Sequence, residues 1–269
     1  MKIFDCFTFF NELDLLDLRL NYLNNIVDYF VLVEADKTHS GKEKPYYYEE
    51  NKKRYENFHH KIIHVKTELN TNNLSFEKAK GFNPGDNYWR LENEQRNKIV
   101  RGLENANPDD MIIISDLDEI PSKEFILMFG GDKNKKPRVA IQQFYYYYLN
   151  YRFIGHRDNW RGSVLITKNG LDKSTPQRIR NMRGVLNTYP IIGGWHFSYL
   201  GGVDMIINKL NNFAHSEYSD GIYVQPEYIK NQIDKGCCLF TTKKLKIDNT
   251  NLPGYLVDNK EKYKKYLKE

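Results

Sequence analysis

The chain has 269 residues, 40% of them hydrophobic and 14% aromatic, with a formal charge of +5. This composition is globular and excludes a long disordered chain; the 40 Lys and Arg are interspersed among 35 acids, so nucleic-acid binding is not indicated by charge. Cys6, Cys237 and Cys238 make neither a disulfide framework nor a CxxC zinc pattern, and with no signal peptide or membrane-spanning apolar stretch the expectation is a soluble protein of a reducing, cytoplasmic compartment.

Residues 3–10 predict a first strand, followed by a helix in which Leu13, Leu16, Leu20 and Leu23 recur at helical spacing and Asn11 is the expected cap. Residues 28–34 and 61–66 predict a second and third strand, and a long helix from about 88 to 104 leads into the apolar run at 111–115. Strands alternating with helices in this order predict a mostly parallel α/β sheet with right-handed, Rossmann-like winding. Asn11-Glu12-Leu13 stands where a G-x-G-x-x-G fingerprint would, and no P-loop occurs, so phosphate, if bound, would need a metal.

The segment Met111-Ile112-Ile113-Ile114-Ser115-Asp116-Leu117-Asp118-Glu119-Ile120-Pro121 carries the most chemistry. A buried strand ends in three carboxylates, and Pro121 is expected to stop its pairing. The acids then lie at the carboxyl edge of the sheet, where open α/β folds bind ligands. Asp116 and Asp118 can both reach one hard divalent ion, which takes oxygen ligands and bridges phosphates. The same residues also make a good turn and helix start, with Ser122 as N-cap.

Beyond Pro121 the pattern is mixed. Residues 138–148 and 163–167 predict strands, and 193–202 an aromatic strand bracketed by glycine pairs that contains Trp195 and His196; helices are predicted near 203–213 and 226–235. The tail from Lys260 to Lys268 reads as a solvated helix in which Tyr263, Tyr266 and Leu267 offer peripheral contact with an anionic membrane.

On the helix before the acids, Arg96 shares a side with Trp89, Glu92, Ile99, Val100 and Leu103. An inward arginine needs a partner, either Glu92 one turn away or a ligand. His196 is a hydrogen-bonded core residue or a further metal ligand. A general base for an acceptor hydroxyl would come from Glu217, Asp204, Glu119 or Asp158, with capping and solvated turns as the plain alternatives for Asp204 and Glu217.

With these residues laid out, the chain resembles glycosyltransferase family 17, the group of β-1,4-mannosyl-glycoprotein 4-β-N-acetylglucosaminyltransferases. The matching blocks are Phe4-Asp5-Cys6-Phe7 with Phe10-Asn11-Glu12-Leu13, Val33-Glu34-Ala35-Asp36-Lys37-Thr38-His39-Ser40-Gly41, Glu94-Gln95-Arg96-Asn97, Ser115 to Pro121, Gly194-Trp195-His196 and Phe213-Ala214-His215-Ser216-Glu217. The resemblance implies a GT-A-type mixed sheet flanked by helices, a UDP-GlcNAc-like donor, Mn2+ or Mg2+ at the Asp-x-Asp motif, and inversion at the anomeric carbon. An α/β chain of this length is expected to form one domain over 1–269, with a nucleotide-sugar half to about 121, an acceptor half over about 122–240, and a basic tail over 241–269.

On this reading Asp118 is a direct metal ligand, Asp116 a ligand or ribose contact, and His196 a further ligand. Asn11, Glu34, Asp36, Thr38 and Arg96 serve the nucleoside and diphosphate, and Trp160 and Trp195 are platforms for acceptor sugar rings. The chain lacks the membrane anchor and lumenal stem of the animal members, so a bacterial or viral enzyme working in cytosol on a glycan, glycolipid or glycoprotein is expected. A nucleotidyltransferase on a similar sheet, or a carbohydrate-binding protein without turnover, are the competing readings.

Overall fold

Three neighbouring strands begin the parallel half of the sheet. β1 (Ile3–Phe9), β2 (Tyr29–Ala35) and β3 (Ile62–Thr67) are parallel, with helices α1 (Leu13–Leu23) and α2 (Tyr47–Asn51) between them. After α3 (Asn87–Asn97), β4 (Met111–Asp116) inserts parallel to β1 on its other side. β1, β2 and β4 are buried on both faces, so their side chains alternate between two cores. Met111 and Ile113 face the core holding α1, while Ile112 and Ile114 face the one holding Ile99 and Leu103. The computed structural model describes residues 1–77, 81–155 and 159–269, and Asp158 lies outside them.

The second half of the sheet is largely antiparallel. After β5 (Glu119–Pro121) and α4 (Lys123–Gly131) come β6 (Arg138–Tyr146), β7 (Tyr151–Phe153) and β8 (Asn159–Thr167), and β8 pairs antiparallel with both β4 and β6. Two short helices, α5 (Lys168–Leu171) and α6 (Pro176–Asn181), precede β9 (Gly194–Ser198), which runs parallel to β6 and antiparallel to β5. Next are α7 (Gly202–Asn212), α8 (Pro226–Lys235), β10 (Leu245–Ile247) beside β7, and α9 (Gly254–Asp258). The central order β10-β7-β6-β8-β4-β1-β2-β3, flanked by helices, fits a GT-A-like fold.

Several expectations are corrected by local geometry. Pro121 does not end the pairing: it closes β5 in register with Gly194, whose φ of +131° and approach to the Ile120 carbonyl leave no room for a Cβ. The helix expected to reach 104 ends at Asn97 and continues as a 3-10 coil to Gly102, which packs directly on Val31. β6 stops at Tyr146 because Tyr147 takes φ +65° and gives its N–H to Ser198. Asn11 does not cap α1; its own N–H is bonded by the Glu12 carboxylate. Ser122 does cap α4, accepting from Phe125 N at 3.2 Å.

The tail is not a solvated helix. Tyr263 is 2% exposed and donates to Asp17 at 2.5 Å, Lys265 and Tyr266 both hold Asp14, and Leu252 and Leu256 enter the main core. The aromatic residues offered to a membrane surface are spent on the body of the protein, because α1 supplies acids where the tail supplies lysines and tyrosines. No helix among the described residues is long and apolar enough to cross a membrane.

Candidate active site

Sheet register assembles the site. The carboxyl ends of β1, β2 and β4 lie side by side, with Thr8 opposite Asp116 and Phe9 opposite Glu34. β5 and β6 flank β9, so His196 lies between Glu119 and Phe144 in register. The Phe144 and His196 rings stack with centroids 4.5 Å apart and planes 3° from parallel. Above this floor opens a pocket of about 710 Å³ lined by Thr8, Thr38, Arg96, Asp116, Asp118 and His196 among others.

The acidic turn is fixed from behind by Arg19, a fully buried residue of α1. Its guanidinium pairs with Asp5 at 2.6 Å and donates to the backbone carbonyls of Asp116, Leu117 and Glu119 at 2.9–3.0 Å and to Ser115 Oγ at 2.6 Å. A guanidinium suits this task because its planar fork has five donors. Asp5 belongs to the Phe4-Asp5-Cys6-Phe7 block, and holding Arg19 is the work that block's acid does.

Asp116 is gripped by two more arginines. Arg96 Nη2 lies 2.7 Å from Oδ1 and Arg180 Nη2 lies 3.0 Å from Oδ2, with Thr8 Oγ1 donating at 3.2 Å. Burial works to raise the pKa of Asp116, but the Arg96 and Arg180 charges outweigh it and hold the carboxyl well below the usual carboxylate range. Arg96 also pairs with Glu92 at 2.8 Å, so the intrahelical partner and the site partner coexist. The neighbouring Gln95 reaches the carbonyls of Phe9 and Val33 and bonds His39, and Asn97 accepts from Gln177 N at 3.0 Å. The Glu94-Gln95-Arg96-Asn97 block thus ties α3 to the strand ends and to α6.

Glu119 is fully buried with its oxygens occupied: Oε1 accepts from Trp160 Nε1 at 2.6 Å and from Arg180, and Oε2 from the Asp116 N–H at 3.1 Å. Its geometry is that of a strut between β4, β8 and α6. Arg183 stands 4.8 Å over the Trp160 ring. Burial and the like charge of Arg180 weaken its hold on its proton.

Asp118 sits differently. Its Oδ2 accepts from Lys209 Nζ at 2.8 Å and has His196 Nε2 at 3.5 Å. Burial is again outweighed, here by Lys209 and then His196, and the pKa is depressed. His196 Nδ1 is buried without a hydrogen-bond partner. Asp118 and His196 are the carboxylate and imidazole that face one another; among the described residues no group of three or more His, Cys, Asp or Glu is arranged to hold a metal ion alone.

The other candidates divide. Thr38 lines the pocket, bonded to Ser40 Oγ at 2.9 Å. Glu34 and Asp36 are outside its lining: Glu34 holds His64 at 3.0 Å and Tyr48 N at 3.1 Å, and Asp36 accepts from Leu69 N at 2.9 Å, so both brace the loops around β2. Asn11 lines a neighbouring cavity of about 520 Å³. Asp204 is exposed in the first turn of α7 and outside the pocket lining. Trp160 lines the pocket, but Trp195 is 5% exposed in the core, against Tyr22 and bonded to the Asn251 carbonyl at 2.7 Å. Glu217 stands behind His215, accepting from its Nδ1 at 2.8 Å, and it is His215 that lines the pocket, ringed by Phe82, Trp89 and Phe213.

The sequence reading missed Arg19, Arg180, Arg183, Lys209 and His215. Arg19 carried a usable signal: it lies three residues after Leu16 and four before Leu23, on the apolar face of α1, the same argument that singled out Arg96.

A carboxylate-ended central strand lies under a cation-rich pocket, and sequence comparison gives the class: the chain belongs to glycosyltransferase family 17, whose family model matches residues 1–246. It is similar to proteins named beta-1,4-mannosyl-glycoprotein 4-beta-N-acetylglucosaminyltransferase. Over 125 residues it is 31% identical to those of Homo sapiens and Rattus norvegicus and 30% identical to that of Mus musculus. Each match covers 44% of this chain and 21% of the relative, so the matched stretch spans about a fifth of those proteins' length.

Proposed function

We propose that the chain is a metal-assisted inverting glycosyltransferase that moves a sugar, N-acetylglucosamine by the names of its relatives, from a UDP-sugar to a hydroxyl of a glycan, glycolipid or glycoprotein. The observation that carries this reading is Asp116-Leu117-Asp118 at the end of β4 on the floor of the pocket, backed by arginines and faced by His196.

Asp118 and His196 would hold a Mn2+ or Mg2+ ion. Such ions are commonly bound by one or two protein side chains, with substrate phosphates completing the shell, so a two-donor site fits. When bound, the ion would supply charge stabilisation for the departing diphosphate. Asp116, held by Arg96 and Arg180, presents a fixed carboxylate edge to the nucleotide, and Thr38 offers a hydroxyl. Arg183, over the Trp160 face, adds a positive charge to the pocket.

In the reaction the bond from the anomeric carbon to the diphosphate oxygen breaks, and a bond from the acceptor oxygen forms on the opposite face. The hydroxyl proton goes to His215, whose other nitrogen is oriented by Glu217, an effect worth about a hundredfold to ten-thousandfold in rate. Glu119 and Asp204 are not used as bases in this scheme: one is saturated by donors and the other is outside the pocket.

Incubation with UDP-GlcNAc and Mn2+, followed by mass spectrometry, is expected to give slow donor hydrolysis or transfer. Asp118→Ala should lower it about a hundredfold or more. Equal rates in EDTA, or in that variant, would overturn metal assistance at this motif.

A further inference from the structure

Lys209 holds the carboxylate that a donor complex needs. Its ammonium is 2.8 Å from Asp118 Oδ2 and 5.4 Å from the centre of the Tyr199 ring, and the side chain is 25% exposed and lines the pocket. The arginines around Asp116 are committed elsewhere as well. Arg96 also binds Glu92 and Gln177, and Arg180 also binds Glu119 and the Gly162 carbonyl, so neither can leave Asp116 without abandoning another partner. For Lys209, by contrast, Asp118 is the side-chain hydrogen-bond acceptor within reach among the described residues, with Glu12 and Asp116 acting at longer range. A lysine ammonium is a point charge on a flexible four-carbon stem and can be re-aimed.

The backbone that carries it is fixed. Lys209 lies near the end of α7, where the Asn212 carbonyl accepts from His39 N at 3.1 Å and Asn212 Oδ1 accepts from Ser40 Oγ at 3.3 Å. The Thr38-His39-Ser40 turn at the pocket rim therefore anchors the helix that presents the lysine.

We propose that Lys209 is an exchangeable counter-ion. With the pocket empty it neutralises Asp118; when a nucleoside diphosphate arrives with a divalent cation, Lys209 releases Asp118, which with His196 would hold that cation, and the ammonium turns to the diphosphate oxygens. This inference rests on the sugar-nucleotide reading of the pocket. It requires effects of opposite sign from one substitution: removing the ammonium frees Asp118 for the metal and takes a charged donor from the nucleotide.

Titration calorimetry on the full chain tests it, using Mn2+ alone and then UDP at saturating Mn2+, with wild type, Lys209→Met and Lys209→Gln, and thermal melts to confirm folding. Mn2+ alone should bind Lys209→Met about tenfold more tightly than wild type, and UDP about tenfold more weakly, the size of one charge-assisted hydrogen bond. Lys209→Gln should move both affinities in the same directions, and serves alone if the Met variant does not fold. Unchanged or weaker Mn2+ binding, or unchanged UDP binding, in a folded variant overturns the exchange. Wild type that binds Mn2+ but no UDP instead overturns the sugar-nucleotide reading itself, and the exchange with it.

Discussion

Asp116 and Asp118 are two residues apart, yet their surroundings are built for different purposes. The Asp116 side is a closed lattice of charges in which Arg19, Arg96 and Arg180 each satisfy several acceptors, and the turn's carbonyls are taken up by Arg19. The Asp118 side has one lysine, one histidine with an unpartnered buried nitrogen, and open space. The first side holds a shape and the second leaves room for a ligand. A binding site needs both, because a loose turn would scatter the ligands and a saturated one would bind nothing.

The contrast is broken most severely at Arg19. Arg19→Leu strands the buried Asp5 carboxylate and frees three carbonyls, and a loss of about 3–5 kcal/mol of folding stability is expected. The double variant Arg19→Leu with Asp5→Leu should recover part of that loss, since removing both partners leaves no uncompensated charge. Urea denaturation of the four proteins checks it; a double variant as unstable as the sum of the singles would mean that the carbonyl bonds, not the ion pair, dominate.

On the open side the largest effect belongs to chemistry. His215→Ala should lower kcat about a hundredfold or more with little change in melting temperature, and Glu217→Gln should cost less because the imidazole remains. If both variants transfer sugar at the wild-type rate, the proton goes elsewhere.

The acids themselves are best compared by acid unfolding. Both Asp116 and Asp118 have folded pKa values pushed below the ordinary value of about 3.9, against the pull of burial, by Arg96 and Arg180 in one case and Lys209 in the other. A depressed carboxylate stabilises the fold at pH above its unfolded pKa, and that contribution is lost as pH falls through it toward the lower folded value. Melting temperature should therefore drop below about pH 4, and Asp116→Asn should flatten that limb. An unchanged acid limb in Asp116→Asn would place the acid lability elsewhere.

How much of this was legible in the sequence follows from range. β4 and its acids were readable because a continuous apolar run ending in charge is a local signal, and Arg96 with Glu92 because a helix repeats over four residues. Arg180 was not, since α6 has six residues and shows no periodicity, and its partners Asp116 and Glu119 lie more than sixty residues away. Lys209 follows Ile206 by three on α7, so its inward position was visible, but its partner was not. The tail misread for a related reason: its lysines and tyrosines look solvated until Asp14 and Asp17 of α1, some 250 residues earlier, are seen to receive them.

The smallest expected effect separates the two tryptophans that the sequence reading treated alike. Trp160 borders the pocket and donates to the buried Glu119, whereas Trp195 packs against Tyr22 and donates to a backbone carbonyl of the docked tail. Trp195→Phe keeps most of the apolar contact and removes one neutral hydrogen bond, so about 1 kcal/mol of stability should go with no change in KM for acceptor. Trp160→Phe should instead raise acceptor KM and disturb Arg180 through Glu119. Acceptor titrations on both variants decide the matter: a raised KM in Trp195→Phe would mean that the β9 core and the acceptor surface are coupled, and that the division between a rigid floor and an adjustable mouth is drawn in the wrong place.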